Sequence, residues 1–141
     1  MEMTAKEECE ELLNHILPAA EDLLRKNKEF YPVGAVLNND NSVSFTATLE
    51  EGDFPDSESV ISHLTEAHKT MAVNGEIKAS GIAWNATITE GAGKKRDAII
   101  VSLEHKENYS VIIGEPYSMN VFKKIRFDAV FAQEGKNDIW A

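Results

Sequence analysis

The apolar residues of this chain change their period once, and the change falls at Glu76. Before it, two segments repeat at helical spacing. After it, apolar and polar residues alternate almost to Phe131. Such a stretch, interrupted only by short Gly-, Asn- or Pro-containing turns, must build an antiparallel sheet from consecutive strands, because short turns reverse the chain.

Within this strand-forming half, Ile77 and Ala79 are apolar at odd positions, and Ile82, Trp84, Ala86 and Ile88 at even ones. The phase slip at Ser80-Gly81 predicts a bulge or strong bend. A Gly- and Lys-rich turn, Glu90 to Arg96, leads to Ile99, Val101 and Leu103 on the next inward face. His105 to Asn108 turns the chain again, and Tyr109, Val111 and Ile113 alternate. Glu115 to Asn120 reads as a longer connection. Ile125, Phe127, Ala129 and Phe131 then make the last long strand, and Ile139-Trp140 is a tail hydrophobic enough to dock.

The first half opens with a capping box, Thr4-Ala5-Lys6-Glu7. Cys9, Leu12, Leu13, Ile16, Leu17, Ala20, Leu23 and Leu24 follow at helical spacing, which predicts an amphipathic helix over 4–27. Pro18 predicts a kink near 14–18, since it removes one backbone bond. A hairpin follows: Val33 to Leu37, a turn at Asn38 to Asn41, then Val43, Phe45, Ala47 and Leu49 in alternation. After a loop at Glu50 to Pro55, a second helix begins at Pro55 or Asp56. Its expected buried stripe is Val60, Ile61, Leu64, Ala67, His68, Met71 and Ala72, and Asn74-Gly75 ends it. The expected fold is α+β: a two-layer antiparallel sheet of about six strands, with two helices on one face. The order is α-β-β-α-β-β-β-β, and one domain covers 1–141.

A chain of 141 residues is long enough to bury one core without disulfides or metals. Cys9 is its single cysteine, which suits a reducing compartment. The N-terminus has the features of no signal peptide, and no stretch approaches the length of a membrane span. A cytoplasmic location is therefore expected. The net charge is −10, and residues 1–70 hold all of it: 15 Asp and Glu against 5 Lys and Arg. A negative surface repels phosphates and anionic headgroups, so neither nucleic acid nor membrane is an expected partner. It provides solubility, and it suits a basic protein partner.

Few residues carry chemistry. His63 and His68 are five apart on a helix, on different faces, so they form no zinc pair; His68 reads as a packed core-edge histidine. Gly91-Ala92-Gly93-Lys94-Lys95 lacks the spacing and the Ser or Thr of a phosphate loop, and it joins two strands. Cys9 lies on the helix stripe and reads as a small buried hydrophobe. No nucleophile motif, cofactor fingerprint or metal-ligand spacing is present. The candidate binding residues are Tyr117, an aromatic in a loop after Pro116; the adjacent pair Glu104 and His105 near a turn; and the basic run Lys94, Lys95 and Arg96. That run suits an anionic ligand or the acidic half of a second copy.

The runs Phe30-Tyr31-Pro32-Val33-Gly34-Ala35 and Asp97 to His105, with Pro116-Tyr117, resemble a family of small bacterial proteins of uncharacterised activity, over about residues 30–117. The resemblance implies a bacterial cytosolic protein and brings no catalytic residue with it. The element order is similar to the roadblock and profilin-like interaction modules and to the cone-shaped nuclear-transport-factor-like fold. Those likenesses are of fold alone. The expected function is a non-enzymatic binding or regulatory module or a protein-interaction domain, with a homodimer as a further reading. The alternative is a small-molecule-binding protein or enzyme with a pocket between sheet and helices, lined by Trp84, Tyr109, Tyr117 and Phe127.

Overall fold

The computed structural model describes residues 3–46 and 56–140. Two helices and a curled antiparallel sheet run in the order α1 (Ala5–Asn27), β1 (Val33–Asn38), β2 (Val43–Thr46), α2 (Ser57–Val73), β3 (Ile77–Thr89), β4 (Lys95–His105), β5 (Tyr109–Met119), β6 (Ile125–Phe127) and β7 (Phe131–Glu134). The α+β class and the element order are those expected from the sequence. The expected second half of β2 and the loop at Glu50 to Pro55 lie outside the described residues.

Local chemistry accounts for the helix ends. Thr4 caps α1: the Glu7 N–H donates to Thr4 Oγ1 at 3.1 Å, and the Thr4 N–H donates to Glu7 Oε1 at 3.0 Å. At the other end Lys28 turns left-handed, with φ of 64°, and its N–H reaches the Leu24 carbonyl at 2.7 Å. Pro18 lies inside the helix, which continues through it to Asn27. Asp56 caps α2 by accepting the Ser59 N–H at 2.7 Å.

The sheet order is β2-β1-β3-β4-β5-β6, and β7 also pairs with β5. The expected last strand is split. Residues 125–127 and 131–134 both line the outer side of β5, separated opposite Glu115-Pro116. The Pro116 carbonyl accepts the Asp128 N–H at 2.8 Å. A residue's N–H and C=O point to the same side of an antiparallel strand, so the donor that proline lacks faces the gap between β6 and β7. The longer connection expected at Glu115 to Asn120 is instead mostly strand, since β5 runs to Met119.

The helices lie on opposite faces of the sheet, not on one. A Cβ at Gly81 would meet Leu12 and Ile16 of α1, whereas a Cβ at Gly34 would meet His68 of α2. Gly34 pairs with Ile82, so odd positions of β3 face α1 and even ones face α2. Leu12, Ile16, Ala20 and Leu24 are fully buried against Ala83, Ile99, Val101 and Leu103. Each large side chain buried there contributes roughly 1.5–3 kcal/mol. On the other face Val60 and Leu64 pack on Ile82 and Trp84. His68 is fully buried beside them; Ala67, expected on that stripe, is exposed.

This arrangement explains the apparent phase slip. The register of β3 with β4 is continuous from Ala79 to Thr89, so no bulge occurs at Ser80-Gly81. Both faces are covered there, by small Ala79, Gly81 and Ala83 under α1 and by Ile82 and Trp84 under α2. The irregularity lies at Leu37/Asn38, where β1 meets the start of β3. Phe45, expected inward, lies on the edge strand β2 and is 54% exposed, whereas Val43 on the same face packs against the core.

Candidate functional site

Helix α2 covers only part of its face. On the remainder, Trp84 and Ile88 of β3, Ile100 of β4, Ile112 and Pro116 of β5 and Phe131 of β7 line a groove of about 500 Å³. Thr89, Glu90 and Gln133 border it, and no helix residue lines it. The alternation leaves Ala98, Ser102 and Gly114 between these apolar groups, so charge enters only at the rim. Phe131 lies over Gly114: a Cβ there would stand 2.2 Å from the Phe131 ring. The ring fills the place of the absent side chain and stays 36% exposed.

A second cleft, of about 60 Å³, lies where Ile61 and Thr65 of α2 approach Ser80, Ile82, Trp84 and Glu104. The C-terminal segment closes it. Glu104, only 4% exposed, accepts the backbone N–H groups of Asp138, of Ile139 at 2.8 Å and of Trp140 at 3.3 Å. Three amide donors satisfy a carboxylate that burial would otherwise penalise. Ile139 is buried as a result.

The other residues singled out in the sequence are placed as follows. His105 points to the face opposite Glu104. Its Nδ1 accepts the Glu107 N–H at 3.0 Å, which puts the ring proton on Nε2, 3.0 Å from Glu8 Oε1. Glu8 also receives Lys78 Nζ at 3.1 Å. Burial opposes its charge, but these two partners hold its carboxyl below the usual range. Tyr117 is a core strand residue rather than a loop aromatic: it is 5% exposed, packs edge-on against Phe127 and donates to Asn85 Oδ1 at 2.7 Å. Arg96 pairs with Glu90 at 3.5 Å and Asp128 at 2.5 Å. Lys94 and Lys95 stand exposed at the β3–β4 tip. The structure therefore does not bring the six together. Arg96, Lys94 and Lys95 share one end of the sheet, while Glu104 and His105 share the other on opposite faces.

Other titratable groups are similarly engaged. His68 donates or accepts at both ring nitrogens, to Ser80 Oγ at 2.6 Å and Thr46 Oγ1 at 2.8 Å, and burial pushes its pKa down to about 4. Burial pushes the Cys9 thiol up to about 12, so it is not a thiolate at neutral pH. Glu115 differs. It is 7% exposed, on the α1 face, and its Oε1 has no hydrogen-bond partner among the described residues. Burial, reinforced by Glu21, raises its pKa to about 8, against the opposing effect of Arg25.

Among the described residues, no three His, Cys, Asp or Glu side chains converge as metal ligands, and no helix is long and apolar enough to cross a membrane. Comparison with protein-family models, with curated proteins and with solved structures returned no match.

Neither Glu115 nor the groove was picked out from the sequence. The signal for the groove was present: Ala98-Ile99-Ile100-Val101 and Val111-Ile112-Ile113 are continuous apolar runs, and such runs mark strands apolar on both faces. Glu115 carried no such signal, because alternation assigns a face without saying what stands opposite.

Proposed function

We propose that this chain is a non-enzymatic binding module that acts by contact with another protein, in a bacterial cytosol. The carrying observation is the largely apolar groove on the part of the sheet that α2 leaves open, between Trp84 and Phe131, with Glu90 at its rim. Exposed apolar surface of this kind, rimmed by polar groups, is the usual mark of an interaction site. The disposition of the polar side chains supports the same reading. Glu104, His105, Arg96 and His68 are each engaged by partners within the fold. The charge of the first half supplies solubility; the contact itself is apolar and so should resist salt.

A capture experiment in lysate of the native host tests this. A protein held by the native chain in both low and high salt, and released by Phe131→Asp, fits the proposal. The same proteins held by both forms would sink it. A second reading is that the groove takes a small apolar ligand, since its volume lies within the range of ligand pockets, roughly 300–1,000 Å³. This groove lies on strands alone, whereas the space between α1 and the sheet is filled by Leu12, Ile16, Ala20 and Leu24.

A further inference from the structure

Nine of the chain's 14 Lys and Arg gather at one end of the fold. The β3–β4 tip and the β5–β6 turn share that end, because Thr89 pairs with Lys95, Asp97 with Tyr117 and Met119 with Ile125. The last turn of α1 arrives there too, since the Arg25 guanidinium lies 5.0 Å over the Phe127 ring of β6. Residues 22–29, 90–97 and 120–128 hold those nine cations against five Asp and Glu, so this end is positive by four on a chain of −10. Acids dominate the opposite end, where Glu7, Glu8, Glu10 and Glu11 open α1 and Glu8 meets His105. The 11 residues of β4 span the distance between the two ends, about 35 Å. That is several screening lengths at physiological salt, so the two ends act on a neighbour almost independently.

The positive end carries an apolar point. Asn120 Oδ1 accepts the N–H groups of Phe122 at 2.9 Å and Lys124 at 3.0 Å, and Lys123 adopts φ of 59° to close the β5–β6 turn. This fixed turn holds Val121 and Phe122 in water, 90% and 80% exposed. Arg96 is taken by Glu90 and Asp128. Lys94, Lys95, Lys123, Lys124 and Arg126 are exposed and form no ion pair among the described residues. Two features select the partner. The point projects from a turn and exposes roughly 300 Å² of Val and Phe side chain, well short of the roughly 800 Å² per partner that a stable protein interface buries. A bilayer needs no matching hollow: acyl chains close around a projecting side chain, while lipid phosphates take the cations around it.

We propose that this end is a peripheral membrane contact: Val121 and Phe122 enter the interface of an anionic bilayer, and Lys94, Lys95, Lys123, Lys124 and Arg126 meet its phosphates. The net charge of −10 opposes such a contact for the chain as a whole, but the fold holds the acidic end away from it. Cosedimentation of the full chain with phosphatidylcholine vesicles containing phosphatidylglycerol tests it. Binding should rise with the phosphatidylglycerol fraction and fall with salt. Phe122→Ser, and the pair Lys123→Glu with Lys124→Glu, should each weaken binding about tenfold or more, with melting temperature unchanged because these side chains are exposed. Lys6→Glu with Lys106→Glu changes the net charge equally at the far end, where both lysines are exposed, and should leave binding unchanged. The added indole of Phe122→Trp should shift its emission to the blue on anionic vesicles and be quenched by brominated acyl chains.

A chain that ignores anionic vesicles at low salt overturns the proposal. So does binding that Lys6→Glu with Lys106→Glu weakens as much as the pair at the turn, because the attraction would then follow net charge and not this end. Binding indifferent to Phe122→Ser, with no blue shift from Phe122→Trp, removes the insertion and with it the proposal. A single-stranded oligonucleotide bound through the same lysines in preference to vesicles also overturns it, and assigns this end to nucleic acid. The groove stands apart from these outcomes. Its capture experiment turns on Phe131, so the reading of the groove and the membrane contact can fail separately.

Discussion

The Glu104 carboxylate stands 2.8 Å from the backbone N–H of Ile139, and so ties the end of the chain to the fourth strand. The two residues are buried together and share the small cleft beside α2. The contact is specific to charge. A carboxylate accepts three amide donors, and a neutral amide in its place presents one oxygen only. Glu104→Gln should therefore loosen the tail and cost roughly 1–3 kcal/mol. Chemical denaturation measures the cost, and faster trypsin cleavage after Lys136 reports the freed tail. Unchanged cleavage would show that Ile139 is held by packing alone.

Glu115 predicts a loss of stability as pH rises. Its pKa in the folded chain, about 8, lies above the ordinary 4.5. Between those values the folded state binds the extra proton, so stability falls as pH increases from about 4.5 towards 8 and then levels. Glu115→Gln cannot ionise and should remove that slope, gaining roughly 1–3 kcal/mol at alkaline pH. Melting temperatures of both proteins from acid to alkaline pH test this. Parallel profiles would mean that Glu115 is ionised throughout.

His68 acts in the opposite sense. Its folded pKa, about 4, lies below the ordinary 6.5, so the unfolded chain binds more protons between the two. Its contribution is complete above about pH 6.5 and is lost as pH falls towards 4. Together the two groups place maximal stability in the mildly acidic range, between about pH 4.5 and 6.5, where their slopes oppose each other. NMR of the imidazole should show His68 neutral at pH 5.5. A His68 resonance titrating near 6.5 would contradict its burial.

Gly114 should be intolerant of a side chain for one reason only. Its Cβ would enter the Phe131 ring, at 2.2 to 2.8 Å from three ring atoms. Gly114→Ala should cost roughly 1–3 kcal/mol, by overpacking, and displace the ring from the groove. With Phe131→Ala already present, the same change should be almost neutral. Denaturation of the two single variants and the double variant measures the coupling. Additive costs would refute the stacking.

Much of this fold was legible locally. The Thr4 capping box, the helical stripe from Cys9 to Leu24, the Asn74-Gly75 stop and the alternation after Glu76 act over a few residues, and each is realised where its own chemistry places it. Consecutive strands joined by short turns left little freedom over class and order. Sequence also predicted that His68 and Cys9 are buried, because each lies on an apolar stripe.

What only the tertiary structure decided is what stands opposite each face. Alternation shows that a strand has two faces; it does not show which helix covers which. The period therefore suggested a bulge at Ser80-Gly81, where the structure has two helices on two sides of a continuous strand. It made Tyr117 a loop residue, although a hydroxyl bond to Asn85 across two strands holds it in the core. It left Glu104 and His105 as neighbours, although one binds the tail and the other binds Glu8. Such contacts join residues far apart in sequence, and their energy depends on burial, which local spacing does not contain. The sequence thus determined the elements and their order, and packing decided which of their faces remained open.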